Sequence, residues 1–261
     1  MNKRGSLGIP FFCAMNERNI KLILAYDGTH YHGWQRQKNA VTLQQTVEDR
    51  LAVMLGHPVT LIASGRTDAG VHALGQVCHF MTPSRIPPGA LKKGLNSLLR
   101  DDILIKDVQD VPLDFHARYH VKRKTYEYRI LNQPQPDLFR RRFCWHIPVP
   151  LNVDAMAQCL SLLEGTHDFS SFRSSGSGNQ NPVRTLYAAQ VNGASGEDLT
   201  ITLEADGFLR HMVRNMVGTV VQAGLNRLDV DGFEGIVSAK DRRMAGVKAP
   251  ARGLFLIRVR Y

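Results

Sequence analysis

Hydrophobic and polar positions alternate in short stretches of the first half of the chain, and longer stretches repeat with a helical period. In the stretch 19–27, Ile20, Leu22 and Leu24 fall on one face, which is typical of a half-buried strand. The predicted elements are strand 19–27, helix 42–55, strands 59–63 and 76–81, a helix beginning at Pro87-Pro88, and strand 102–108. This order of strand, helix, strand, strand, helix, strand is that of a ferredoxin-like unit.

Local signals support the two predicted helices. Thr42-x-x-Gln45 is a capping box directly before the apolar positions of the first helix. Proline suits the first turn of the second helix, where its missing N–H is not needed. Leu91, Leu95 and Leu98 share one face there, and we predict that all three are buried.

The second half of the chain repeats this order with longer connections. The predicted strands are 125–131, 184–192, 199–205 and 254–260, and the predicted helices are 152–164, 208–225 and 231–239. We therefore predict an α+β fold of two ferredoxin-like (RRM-like) halves. Their antiparallel sheets would join into one long mixed sheet flanked by helices, with a cleft between the halves.

The same pattern predicts a division of the chain. Residues 1–16 are expected to be a disordered extension, because Pro10 and Phe11-Phe12 do not suit a cleaved signal peptide. Residues 17–113 would form the N-terminal ferredoxin-like domain, and residues 114–261 the C-terminal one. The polar stretch Ser170–Pro182 is predicted to be a mobile loop.

The net charge of the chain indicates what kind of molecule it binds. The chain has 33 Lys and Arg against 23 Asp and Glu, which gives a net charge of +10, and 23 of the 33 cations are arginine. The planar guanidinium of arginine matches phosphate and stacks on bases, so this composition favours a nucleic-acid partner. A generally basic surface is the alternative interpretation.

Cysteine spacing and hydropathy argue against a zinc-binding protein and against a membrane-spanning one. The four cysteines form no CxxC pair, which predicts reduced, mostly buried thiols in a cytoplasmic protein and no zinc site. No apolar run approaches the ~18 residues of a membrane span. We therefore expect neither a bound metal nor a membrane partner.

The stretch Ser64–Ala73 is a glycine-framed loop between two predicted strands. Gly65 and Gly70 suit tight corners, and Asp68 lies between them. Arg66, two residues away, could form a charge-assisted pair that keeps a reactive Asp68 ionised. The alternative interpretation is ordinary turn chemistry, in which the carboxylate bonds to nearby backbone N–H groups.

Aromatic residues offer candidate contacts for unstacked bases. Trp34 lies in the polar loop 28–37, and Tyr126 lies on a predicted strand with Tyr128 on the same face. Each aromatic could equally be a core residue. These two interpretations remain open at the level of sequence.

Positive charge suggests a track for a phosphate backbone. Its members are Arg118, Lys122, Arg123, Lys124, Arg129 and Arg140-Arg141-Arg142. Such contacts orient a nucleic acid without reading its sequence. For each residue alone, a solvated surface charge is the alternative.

Two arginines lie near the start of the apolar helix predicted over 208–225. Arg210 and Arg214 are four residues apart, so they would share a helical face. A mostly buried helix needs partners for such charges. For Arg214, we consider Asp68, a phosphate, or another structural ion pair.

A set of motifs along the chain resembles those of the tRNA pseudouridine synthase A (TruA) family. The matching stretches are Tyr26-Asp27-Gly28 with Tyr31, Gly33-Trp34-Gln35-x-Gln37, Gly65-Arg66-Thr67-Asp68-Ala69-Gly70-Val71-His72-Ala73, Asp114-Phe115-His116-Ala117-Arg118, Tyr126-x-Tyr128, Asp168-Phe169-x-x-Phe172, Arg210-His211-Met212-Val213-Arg214-Asn215 with Gly218, and Gly253-Leu254-Phe255-Leu256. They occur in family order over residues 19 to 261, and the loop around Asp68 is the most specific.

The resemblance implies an enzyme that converts uridine to pseudouridine at positions 38, 39 and 40, in the anticodon stem-loop of tRNA. It implies that Asp68 is the catalytic aspartate, that Arg66 and Arg214 lie near it, and that Tyr126 contacts the target uracil. It further implies a homodimer, with no metal and no organic cofactor. The cleft between the halves would then be catalytic.

Two other functions remain as alternatives. One is a non-catalytic RNA-binding module, because ferredoxin-like sheets with aromatics also bind single strands. The other is a metal-dependent hydrolase using Asp68, His72 and His79, whose spacing matches no common ligand pattern. Within the synthase interpretation, Asp68 could attack C1′, attack C6 of uracil or remove the 2′ hydrogen.

Overall fold

The computed structural model describes residues 17–176 and 181–261. The extension predicted as disordered, residues 1–16, lies outside this part of the chain. So do residues 177–180 of the loop predicted as mobile. Within the described part of that loop, Ser170–Phe172 form a 3₁₀ turn and Phe172 is buried.

Ten strands and five α-helices make up the described chain. The strands are β1 (Arg18–Tyr26), β2 (Ile62–Ala63), β3 (His72–Thr82), β4 (Ile103–Val111), β5 (Arg123–Leu131), β6 (Trp145–His146), β7 (Gly165–Asp168), β8 (Val183–Asn192), β9 (Asp198–Ala205) and β10 (Leu254–Arg260). The helices are α1 (Leu43–Leu55), α2 (Pro88–Leu98), α3 (Val153–Ser161), α4 (Met212–Gly224) and α5 (Val230–Ala239).

All ten strands belong to one mixed sheet, which confirms the predicted fold class. The main order is β4-β1-β3-β10-β5-β9-β8-β7, with β2 paired to β3 and β6 to β5. The first half contributes β4-β1-β3-β2 and the second β10-β5-β9-β8, so each half has the same ferredoxin-like strand order. They join where β10 runs parallel to β3, through the pairs Phe255–His72 and Leu256–Ala73.

The first helix forms as the sequence predicts. The Thr42 side chain accepts a hydrogen bond from the backbone N–H of Gln45 at 3.4 Å, and the helix ends at Gly56 in the left-handed conformation. In α2, Leu91 and Leu95 are buried, but Leu98 is 39% exposed, so its predicted burial is wrong. The helix ends at Leu98, and the extended Leu99 is buried instead.

The apolar helix of the second half begins later than predicted. Helix α4 starts at Met212, because His211 before it adopts a left-handed conformation with φ 60°. A left-handed residue interrupts a right-handed helix. Arg210 and Arg214 therefore do not share a helical face, and the Arg210 side chain donates instead to the carbonyl of Ser175.

Strand boundaries differ most around the glycine-framed loop. The strand predicted at 59–63 is paired only at Ile62–Ala63, while the strand predicted at 76–81 begins four residues earlier, at His72. That early start is where β10 pairs with β3. The loop between β2 and β3 therefore lies at the junction of the two halves.

Helix α4 packs tightly against the segment 245–249. A Cβ on Gly218 would overlap the carbonyl oxygen of Val247, whereas a Cβ on the exposed Gly235 of α5 would meet nothing. We expect Gly218→Ala to lower the free energy of unfolding by about 1–3 kcal/mol. The matched change Gly235→Ala should raise it by about 0.5–1 kcal/mol, because alanine favours helix. Urea denaturation of both variants measures this, and a neutral Gly218→Ala would contradict the packing argument.

Candidate active site

Asp68 lies in the loop between β2 and β3, and hydrogen bonds fix both ends of that loop. The backbone N–H of Ser64 donates to the carbonyl of Val77 at 2.8 Å, and that of Val71 donates to the carbonyl of Asp68 at 3.1 Å. Gly70, with φ 75°, supplies the left-handed corner between them. The loop therefore forms a turn, but within the described residues no backbone N–H donates to the Asp68 carboxylate, in contrast to ordinary turn chemistry.

Buried polar side chains hold this loop from below. The Gln76 amide accepts from the Ser64 hydroxyl at 2.7 Å and donates to the carbonyl of Gly65 at 2.9 Å. The hydroxyls of Tyr26 and Thr67 are hydrogen-bonded at 2.9 Å. Because all of these side chains are buried, breaking any one bond would leave an unpaired polar group. This network keeps the position of Asp68 well defined.

The aromatic loop 28–37 packs against the same turn. The backbone N–H of Trp34 donates to the carbonyl of Thr67 at 3.0 Å, and a Cβ on Gly33 would lie 2.7 Å from that oxygen. The Trp34 ring is buried, so Trp34 is a core residue and does not face an unstacked base. This loop supports the Asp68 turn.

The second half of the chain supplies the charge partner of Asp68. Arg214, in the first turn of α4, donates from Nη1 to Oδ2 of Asp68 at 3.1 Å and from Nε to the carbonyl of Ala249 at 2.8 Å. Arg214 is nearly buried, whereas the Asp68 side chain is 32% exposed. Oδ1 of Asp68 has no hydrogen-bond partner among the described residues, so one carboxylate oxygen is held and the other is free.

Arg66 does not form the pair predicted from its spacing. It is exposed and makes no ion pair within residues 17–176 and 181–261. The cation at Asp68 comes instead from a residue 146 positions later in the chain. Arg66 is therefore an exposed guanidinium on the rim of the turn.

Tyr126 lies on β5, close to the same carboxylate. It is 8% exposed and packs edge-on against Phe208, with ring centroids 5.1 Å apart. Burial raises the pKa of Tyr126 well above its usual value, and the nearby Tyr26 and Asp68 raise it further. Its hydroxyl is thus protonated and has no hydrogen-bond partner in the described chain. The structure brings Asp68, Arg214 and Tyr126 together.

His211 is a neighbour of Asp68 that sequence reasoning missed. Its Nε2 lies 3.5 Å from Oδ2 of Asp68, on the same oxygen that Arg214 holds. In the sequence, His211 stands out only as a member of the motif Arg210-His211-Met212-Val213-Arg214-Asn215. Its left-handed backbone has no sequence signal, because histidine is also compatible with a helix.

Comparison with known proteins identifies the family. A sequence profile described as tRNA pseudouridine synthase matches residues 22–120 and 160–261. The chain is 46% identical over 245 residues to tRNA pseudouridine synthase A of Thermoanaerobacter sp. strain X514, covering 94% of this chain and all of that protein. The proteins of the same name from Acetivibrio thermocellus and Geobacillus kaustophilus are each 46% identical over 246 residues, covering 94% of this chain and 100% and 95% of theirs.

The chain belongs to the tRNA pseudouridine synthase family. It is therefore an isomerase that acts on tRNA, which confirms the resemblance and excludes a non-catalytic RNA-binding module. Asp68 and Arg214 fall within the matched ranges, whereas Tyr126 lies between them. No helix in the described part of this synthase is long and apolar enough to cross a membrane.

The histidines of the alternative metal site lie far apart in this synthase. His72 begins β3 and accepts a hydrogen bond from the N–H of Gly28 at 3.1 Å through Nδ1. His79 is seven residues further along the same strand, which corresponds to about 23 Å. Its ring packs against His116, with centroids 5.0 Å apart. The two rings cannot share one ion with Asp68, so that alternative is wrong.

The predicted basic track is partly neutralised within the protein. Arg123 pairs with Glu204 at 3.0 Å, Arg129 with Glu127 at 2.7 Å, and Arg140 with Asp198 at 2.7 Å. Arg118 and Lys122 are exposed. The cations thus differ in their availability to a tRNA backbone.

Lys124 has a role that the prediction of a basic track did not capture. It shares a strand face with Tyr126, and its Nζ donates to the carbonyl of Ser64 at 2.6 Å. Burial lowers the pKa of Lys124 to about 8, and the nearby Arg118 and Arg184 contribute to this decrease. Lys124 therefore links β5 of the second half to the Asp68 turn of the first.

This pKa predicts a pH-dependent stability. Between pH 8 and the ordinary lysine value, the unfolded chain binds a proton that folded Lys124 does not, so Lys124 makes stability rise with pH in that window. We expect the difference in unfolding free energy between wild type and Lys124→Met to shift in favour of wild type as pH rises from about 8 to about 10. Urea denaturation across this range measures the difference. A pH-independent difference would show that the Lys124 pKa is not lowered.

Proposed function

We propose that this protein converts uridine to pseudouridine at positions 38, 39 and 40 in the anticodon stem-loop of tRNA, with Asp68 as the nucleophile. The nucleophile assignment rests on one observation: the two oxygens of the Asp68 carboxylate are bonded differently. Oδ2 is bonded to Arg214, while Oδ1 has no partner in the described chain and the side chain is part-exposed. A nucleophile needs this combination of fixed position and one free oxygen. The target positions rest on the family resemblance.

The reaction rearranges bonds within one nucleoside. The N1–C1′ bond breaks, the C5–C1′ bond forms, C5 loses a proton and N1 gains one. No electrons are exchanged with another molecule, so the balance requires no redox partner. The protein must supply a nucleophile, a place for the detached uracil to turn, and a path for the proton.

Asp68 and Arg214 supply the first requirement. In this proposal Oδ1 of Asp68 attacks the nucleoside, and the guanidinium of Arg214 keeps the carboxylate ionised and oriented. The target base must leave its stack before it reaches them, at a cost of a few kcal/mol. Arg66 is exposed on the rim of the turn. We assign it as a substrate-binding residue that contacts the tRNA around the unstacked base.

Tyr126 supports the uracil in the same proposal. Its ring is fixed by Phe208 and lies close to Asp68, so it can contact the base while the base turns. Because its hydroxyl is protonated and unpaired in the described chain, it is available as a hydrogen-bond donor to the base. Contact through the ring is the role we assign first.

Further parts of the proposal rest on the resemblance and on the sequence pattern. They are a homodimeric assembly, a cytoplasmic location, catalysis without metal or cofactor, and the domain division at residues 17–113 and 114–261. Arg118 and Lys122 are exposed and do not belong to the ion pairs described above. We expect such basic residues to contact the tRNA backbone.

Removal of the negative charge of Asp68 tests the nucleophile assignment. We expect Asp68→Asn to bind tRNA with nearly the wild-type Kd but to lower turnover by more than about 10³-fold, because an amide oxygen is a poor nucleophile. Release of tritium from C5-labelled uridine in tRNA measures turnover. The exposed Asp101→Asn is the matched control and should retain full activity. Turnover within tenfold of wild type, on the order of 1.4 kcal/mol in barrier, would reject Asp68 as nucleophile.

Two substitutions separate the ring of Tyr126 from its hydroxyl. If the ring supports the base, Tyr126→Phe should reduce single-turnover rates by less than about tenfold, and Tyr126→Ala by about 10²-fold or more. Thermal unfolding must accompany the assay, because loss of a buried ring also costs stability. Equal, severe losses in both variants would assign the role to the hydroxyl instead.

A further inference from the structure

His211 combines three features that its structural role does not explain. Its backbone is left-handed, with φ 60° and ψ 7°, which is an uncommon conformation for a residue other than glycine. It occupies the N-cap of α4, but its side chain forms no capping hydrogen bond. Its Nδ1 is buried without any hydrogen-bond partner in the described chain. Unusual backbone conformations and unpaired buried polar atoms concentrate at functional sites.

The imidazole of His211 is directed at the carboxylate of Asp68. Its Nε2 lies 3.5 Å from Oδ2, and its side chain is mostly buried. Arg214 approaches the same oxygen at 3.1 Å. His211 lies at the N-cap, just before α4 begins, and Arg214 lies in the first turn of that helix. The left-handed turn at His211 thus lets both side chains reach one oxygen.

The surroundings of the ring indicate its protonation state. Burial lowers the pKa of His211, and the cations Arg210, Arg214 and Lys248 lower it further, while Asp68 opposes them. A second proton would place an N–H at Nδ1, where no acceptor lies. A neutral ring with its proton on Nε2 faces the carboxylate with a donor and leaves Nδ1 as an unpaired acceptor.

We propose that His211 is a positioning residue for Asp68: its neutral imidazole and Arg214 hold Oδ2 from two sides, so that Oδ1 is the oxygen that reaches the nucleoside. The proposal rests on the assignment of Asp68 as nucleophile. The proposal requires the 3.5 Å separation to close to a hydrogen bond when substrate binds, as catalytic contacts often tighten in the complex. A nucleophile held at one oxygen by two donors has less freedom to rotate away from its target.

Two substitutions distinguish this role from a purely structural one. Asn tolerates the left-handed conformation, but its amide is too short to reach Asp68. Gln places an amide nitrogen at about the position of Nε2 and restores a donor that cannot titrate. At saturating tRNA we expect His211→Asn to slow the single-turnover release of C5 tritium by about 10- to 100-fold. We expect His211→Gln to recover to within about threefold of wild type.

Binding and stability measured on the same variants complete the test. The Kd for tRNA of His211→Asn should match wild type, whereas its Tm should fall by a few degrees because a mostly buried ring is lost, so rates are compared well below that Tm. A wild-type rate in His211→Asn overturns the proposal, as does a His211→Gln variant that folds with wild-type Tm but is as slow as His211→Asn. If Gln lowers Tm because of its left-handed backbone, the rate of His211→Asn decides alone. An active Asp68→Asn would instead reject the nucleophile assignment, so the two failures are distinguishable.

Discussion

The ion pair between Asp68 and Arg214 is the contact on which the candidate site depends, because each half of the chain contributes one partner. Asp68 is fixed by the buried network beneath its turn, which includes Gln76. Arg214 is fixed by its second bond, to the carbonyl of Ala249. Two anchored groups lose little conformational entropy when they meet, which is what makes a partly exposed pair effective. The site exists only when both halves are folded and correctly placed.

That placement relies on a small junction. Only two residue pairs join β10 to β3 in parallel, so the sheet alone fixes the halves through a short segment. The bond from Lys124 to the carbonyl of Ser64 is one of several further links between the halves, and it lies directly beneath the Asp68 turn. A buried cation in this place is costly, as its lowered pKa indicates. The desolvated Lys124 side chain lies where the two halves of the chain meet.

Of the side chains around the Asp68 carboxylate, one is a cation and two are favoured in their neutral forms. Arg214 supplies the compensating cation, while burial keeps the Tyr126 hydroxyl protonated and favours neutral His211. A neutral donor and a neutral hydroxyl therefore lie beside one ion pair.

Hydrophobic periodicity and helix-start signals predicted eight of the ten strands and the helices in their order, and hence the two ferredoxin-like halves, because burial on one face leaves a repeating signal in the chain. The short strands β6 and β7 were not predicted, because they contain too few residues to show a period. The glycine-framed loop was also evident, and Gly70 adopts the left-handed conformation that glycine favours. Tertiary structure decided which cation meets Asp68: local spacing favoured Arg66, but packing of the halves placed Arg214 there. It also decided that Trp34 is buried and that α4 begins after His211. These features depend on contacts between distant segments, which local periodicity does not encode.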